Sequence, residues 1–171
     1  SYTTNGGRDN AFVMVKNVQI YGGFDPANNI TDLTHNRILP DNNATVGTIL
    51  SGDIGTTNDN TDNAYHVIIS SGNVGNALLN GVTITQGNAN GGGSLITVNG
   101  NAVRRDTGGG MCNISSSPLL TYVNITDNTT SYGGGMFNES SSPVLTNINI
   151  TNNTAANDGG GMYNYYSSAQ V

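Results

Sequence analysis

The final third of the chain repeats itself, and that self-similarity restricts the fold more than any other feature. Segments starting at Gly108, Gly133 and Gly159 read GGGMCNISSSPLLTYVNITDNTTSY, GGGMFNESSSPVLTNINITNNTAAND and GGGMYNYYSSAQV, spaced by 25 and then 26 residues. Met111, Met136 and Met162 share a column, as do Asn113, Asn138 and Asn164; Ser117, Ser142 and Ser168; Leu120, Leu145 and Val171; and Ile125 and Ile150. A fixed period of this length marks stacked supersecondary units. Gly triplets, Ser-Pro steps and Asn runs argue against helical units, because all are unfavourable inside helices. The apolar residues alternate instead, as in Leu120 to Ile125 and Leu145 to Ile150, the period of a strand with one side buried.

Three short strands and three turns fit a circuit of about 25 residues, which brings each column above its copy at the ~4.8 Å spacing of paired strands. The spacing therefore predicts an all-β chain wound as a right-handed, single-stranded parallel β-helix, whose interior is built from stacked Met, Leu, Val and Ile. One such unit cannot bury its inner face alone, so stability grows with the number of units. Asn113, Asn138 and Asn164, with Asn128 and Asn153, read as amide ladders, since Asn tolerates left-handed turns and its amide can bond to the copy in the next unit.

Upstream, Leu79 to Thr85 aligns with Leu120 to Thr126 at an offset of 41 residues. The surplus falls in 90–107, expected to project from one corner as a loop or small hairpin. Runs at Phe12 to Tyr21, Thr48 to Leu50 and His66 to Ile69 read as irregular N-terminal units, and Asp25 to Asn43 as a second excursion. One domain over 1–171 results, with irregular units in 1–89, the insertion in 90–107 and regular repeats in 108–171. The third register stops 13 residues in, so a longer parent chain, or a partner over that end, is expected; stacking end to end into a filament is one form of the latter.

The formal charge is −6, and the cations Arg8, Lys16, Arg37, Arg104 and Arg105 form no basic stripe, which speaks against nucleic acid. A single cysteine, Cys112, excludes a disulfide framework within the chain, and no apolar run approaches the roughly 18 residues of a membrane span.

VQIYGGF, TILSGDIG, NAYHVI and LLNGVTIT, followed by the GGGM-x-N, SSP-x-L-T and N-I-T-x-N units, resemble the β-helix surface proteins of bacteria that carry polymorphic outer-membrane-protein-like repeats. The resemblance covers roughly residues 11 to 171. It implies an extracellular or outer-membrane-associated protein whose solenoid is a stalk, passenger or adhesive surface, and it brings no known activity or ligand.

Function is read on that frame as a non-enzymatic scaffold or adhesin that contacts glycans or other cell-surface proteins. With Val123 and Ile125 inward, Thr83, Asn124 and Asn149 form one outward column and Thr85, Thr126 and Thr151 another, a hydroxyl and amide array suited to sugars or ordered water. Tyr132, Tyr163, Tyr165 and Tyr166 add aromatic faces that cover apolar sugar surfaces. The rival is a polysaccharide lyase or hydrolase, which needs paired carboxylates or an acid and base on one face. Here Asp127 aligns with Asn152 and Gln86, and Glu139 with Ile114 and Tyr165, so no acidic column forms; Asp158 is expected in a turn. A catalytic reading would need Asp53, Asp59, Asp62, His66 and Arg37 around one groove.

Asp53, Asp59 and Asp62 also have the oxygen-rich setting of a structural calcium site, against the simpler reading of a solvated, turn-rich loop. His66 reads as a packed histidine, His35 as a loop residue without a nearby partner, and Cys112 as a small strand residue. The Asn-x-Ser/Thr sequons, for example at Asn113 and Asn138, follow from composition.

Overall fold

The computed structural model describes residues 7–40 and 47–171. Residues 1–6 and 41–46, including part of the Asp25–Asn43 excursion, lie outside the described residues. Among those described, the protein is all-β, with a single 3₁₀ turn at Pro26–Asn28 and no α-helix. In chain order the strands are β1 (Phe12–Val13), β2 (Gln19–Tyr21), β3 (Thr48–Ser51), β4 (Ile68–Ser71), β5 (Leu78–Thr85), β6 (Asn88–Ala89), β7 (Leu95–Val98), β8 (Asn101–Arg104), β9 (Met111–Ile114), β10 (Leu119–Thr126), β11 (Thr129–Tyr132), β12 (Met136–Glu139), β13 (Val144–Thr151), β14 (Thr154–Asp158) and β15 (Met162–Tyr165).

Three parallel sheets arise because each repeat sends one strand to each. Their orders are β1-β4-β9-β12-β15, then β2-β5-β10-β13 with β3 also on β5, and β6-β11-β14. The registers are those of the sequence columns: Met111 pairs with Met136 and Met136 with Met162, while Leu79, Leu120 and Leu145 align across the second sheet. Inside, Leu79, Val82, Ile84, Met111, Leu120, Val123, Ile125 and Met136 pack into one buried cluster. Each such side chain contributes about 1.5–3 kcal/mol by leaving water.

Strict alternation would place Leu120 and Val123 on opposite faces, yet both are fully buried. Between them Tyr122 takes a left-handed φ of 52°, and Gly81 and Asn147 do the same in the neighbouring strands. One left-handed residue bends the eight-residue strand and resets which side faces in. Three further left-handed columns turn each repeat: Ser115, Ser140 and Tyr166; Gln86, Asp127 and Asn152; and Gly108, Gly133 and Gly159.

The amide ladders are present. Asn113 Nδ2 donates to Asn138 Oδ1 at 2.7 Å and Asn138 Nδ2 to Asn164 Oδ1 at 2.7 Å, and Asn128 Nδ2 donates to Asn153 Oδ1 at 2.9 Å. Asn113 and Asn138 have no solvent exposure, so the ladder gives partners to Asn113 Nδ2 and to both amide atoms of Asn138 that burial would otherwise leave unmet, while Asn113 Oδ1 is buried without one.

Both excursions leave the stack at a corner. Tyr21 pairs with Asn80 and Thr48 with Val82, so the excursion after Tyr21 departs and returns on either side of the Gly81 bend. The 90–107 insertion contains the antiparallel hairpin of β7 and β8. It does not project as expected: Val98 and Val103 fold against Ile69, Cys112, Ile114 and Phe137, outer-face residues of the first sheet. That face carries apolar side chains, and the hairpin removes them from water. Asp158, expected in a turn, ends β14 opposite Tyr132, where the pairing shifts register.

Candidate functional site

The outward side of the first sheet holds a column of Ile69, Cys112, Phe137 and Tyr163. Hairpin residues cover its N-terminal part. Toward the C-terminal edge buried Phe137 stacks on half-buried Tyr163 with centroids 5.8 Å apart, and Tyr132 lies 6.0 Å from Tyr163. Tyr165 and Tyr166 meet edge to face at 4.5 Å, with 44% and 81% of their surface exposed. Tyr166 occupies the left-handed corner that Ser115 and Ser140 fill in the preceding repeats, with φ at 49°. A bulky side chain is uncommon in that conformation, and here it points a phenol ring into solvent. Hydrogen bonding with its neighbour Tyr166, of the kind that favours the neutral phenol, holds the Tyr165 hydroxyl above its ordinary pKa. The four tyrosines expected from the sequence form two contacting pairs: Tyr163 and Tyr165 stand on the edge strand β15 with Tyr166 just after it, and Tyr132 reaches Tyr163 from β11 of the third sheet.

The hydroxyl and amide array is a correction. Thr83, Thr85, Asn124 and Thr126 are all buried; only Asn149 and Thr151 of that set keep substantial exposure. Side chains in the array bond to each other, Asn149 Nδ2 to Asn124 Oδ1 at 2.9 Å and Thr126 Oγ1 to Asp127 Oδ2 at 2.9 Å. The sequence pattern assigned the outward direction but carried no signal for the burial of these positions.

The acidic loop turns its carboxylates onto its own backbone. Asp53 Oδ2 accepts from Asn58 N, Asp62 Oδ2 from Thr56 N, and Asp59 Oδ1 from both the N–H and the hydroxyl of Thr61. The other oxygens of Asp53 and Asp62 are buried without a partner. No three metal-ligating side chains group together among the described residues, so Asp53, Asp59 and Asp62 are not gathered around one point.

Nor does a shared groove collect the residues a catalytic reading requires. Arg37 donates to Gly22 O and Asn80 Oδ1 and lies over Tyr21 and Phe24. His35 has a partner after all, Asp32 Oδ1 at 3.0 Å, three residues back. Asp9 and Asp106 are paired with Arg105 and Arg104. Two recesses on the described surface contain no carboxylate, and another, about 250 Å³, has one, Asp127. Cys112 is fully buried, which pushes its thiol up to about 12; a nucleophilic cysteine has the opposite shift.

His66 is 1% exposed, with Nδ1 at 3.0 Å from Gly108 O. Burial lowers its pKa below the ordinary 6.5, so the folded protein binds the proton less readily than the unfolded chain. The resulting stability is complete above the unfolded value and is lost as pH falls below it, at up to about 1.4 kcal/mol per pH unit. Urea midpoints from about pH 7.5 to 5.5 should fall for the wild type and stay nearly level for His66→Gln; parallel curves would contradict the assignment.

These features define a class, an all-β repeat protein of stacked parallel sheets with an aromatic edge. No family model, curated protein or solved structure matches the chain. No helix among the described residues is long and apolar enough to cross a membrane.

Proposed function

We propose that the chain is a right-handed parallel β-helix serving as a non-enzymatic scaffold at a bacterial surface or in secreted material, and that it contacts glycans through its tyrosine edge. The observation that carries the reading is the exposed Tyr165–Tyr166 pair at the edge strand β15, with Tyr163 on the same strand in ring contact with Tyr132 of β11. Aromatic faces at fixed spacing suit the apolar faces of successive sugar rings, and rigid rings lose little conformational freedom on binding. Repeat registers and ladders support the winding, and the resemblance to bacterial surface proteins supports the location. A sugar-cleaving reading has less behind it, because both retaining and inverting chemistry need a second carboxylate across the bond, and the recess with Asp127 has none.

A glycan array tests the contact. The wild-type chain should select a subset of glycans, and the Tyr165→Ala/Tyr166→Ala double variant should bind them at least about tenfold more weakly. An array with no selected glycan, or equal binding by both proteins, would remove the proposal.

A further inference from the structure

Between the acidic loop and the corner that follows β5 lies the recess of about 250 Å³, whose walls include Asn58, Asn60, Asn63, Asn88, Asp127 and Thr129. No Lys, Arg or His lines it. Neighbouring passes of the chain bring these residues together: Asn88 N donates to Ala64 O, Gln86 N donates to Asp127 O, and Asn88 pairs in register with Thr129. Two of the amides are oriented by their own bonds. Asn63 Nδ2 donates to Gln86 O at 2.8 Å, and Asn88 Nδ2 to Asn60 O at 2.6 Å. A carbonyl oxygen accepts only from the NH2 side of an amide, so both Oδ1 atoms are left as acceptors. Asn63 is 5% exposed, and its Oδ1 is buried without a partner. Asn88 Oδ1 accepts nothing from the described residues, and neither does Asp127 Oδ1, whose companion Oδ2 takes the Thr126 hydroxyl.

We infer that this recess is a calcium site, with Asp127 and the Oδ1 atoms of Asn63 and Asn88 as ligands. The unmet groups are all acceptors, and a buried acceptor without a donor carries a cost that a bound cation removes. Ca²⁺ takes roughly six to eight oxygens in flexible geometry, amide carbonyls and waters among them, whereas Mg²⁺ demands a near-ideal octahedron. A recess of this width, with one carboxylate among neutral oxygens, suits the former. Arg8 donates to Asn63 O and Asn88 O, which ties the two main chains together, and it stays outside the walls. The acidic residues of the loop are spent on their own backbone, while the amides beside them supply oxygens to the recess. A single carboxylate places the affinity at the weak end for such sites, about 10⁻⁴–10⁻³ M. The site is independent of the tyrosine edge.

Titration calorimetry of the intact chain with calcium chloride tests this. One site should saturate, and Asp127→Asn should weaken it at least about tenfold. That variant keeps an oxygen for the Thr126 hydroxyl, and asparagine already holds the equivalent left-handed corner at Asn152, so the fold is retained. Thr129→Asp adds a second carboxylate at an exposed position and should tighten binding about tenfold, whereas Asp59→Asn should leave it unchanged. Absence of calcium binding, equal affinity in wild type and Asp127→Asn, no gain with Thr129→Asp, or a loss with Asp59→Asn would each overturn the inference.

Discussion

Gly134→Ala should lower stability by on the order of 3 kcal/mol or more, a large part of what a small domain has. A methyl group at Gly134 would sit 2.3 Å from Gly160 O of the next repeat and 2.7 Å from Thr154 O near the end of its own, both backbone atoms. Neither can swing aside as a side-chain tip would, so the sheets would have to part or their registers shift. Gly7→Ala is the matched control, because nothing among the described residues lies within 4 Å of its added carbon. Urea midpoints should separate the two variants clearly; coincident midpoints would mean that the repeats are not packed at the described distance.

Asn138→Leu should cost about 2–4 kcal/mol even though leucine has a similar volume. The substitution leaves Asn113 Nδ2 without its acceptor in a fully buried setting and Asn164 Oδ1 without its donor. An unmet buried group costs about 1–3 kcal/mol, and the Asn164 share is at the low end because water reaches that residue. Asn164→Leu should therefore be milder, near 1 kcal/mol, since it orphans only Asn138 Nδ2 beside a solvent-accessible edge. Thermal melts of both variants check the ranking. Wild-type stability in Asn138→Leu would show that the ladder contributes no net free energy.

Much of this was legible in the sequence because the repeat is a periodic signal. Met111, Met136 and Met162 could be aligned without coordinates, and the ladder through Asn113, Asn138 and Asn164 followed from the same columns. Less visible was the bend at Tyr122, where alternation over Leu120 to Ile125 reads as one continuous strand. A tyrosine is an unusual left-handed residue, and only its alignment with Gly81 and Asn147 points to the corner. The cover over outer faces was not legible at all. Thr83 and Asn124 carry an exposed-strand pattern yet lie buried, and the hairpin at 95–104 could as well have stood away from the stack. Non-periodic segments write no column to compare, so where they fold back depends on tertiary contacts that a single sequence does not encode locally. The same limit explains the acidic loop, whose composition suits a cation while its geometry turns Asp53, Asp59 and Asp62 onto local N–H groups.

One circuit of backbone per repeat is the claim beneath every other, and spin labels at Leu119 and Val144 address it directly. Both are about one-third exposed and paired in register on adjacent strands, which places labels there within the ~5 Å separation of paired strands. With Cys112 replaced by alanine to leave two labelled sites, the doubly labelled protein should give a strongly broadened or exchange-narrowed electron spin resonance spectrum. A spectrum equal to the sum of the two single-label spectra would place the residues far apart and contradict the stacking.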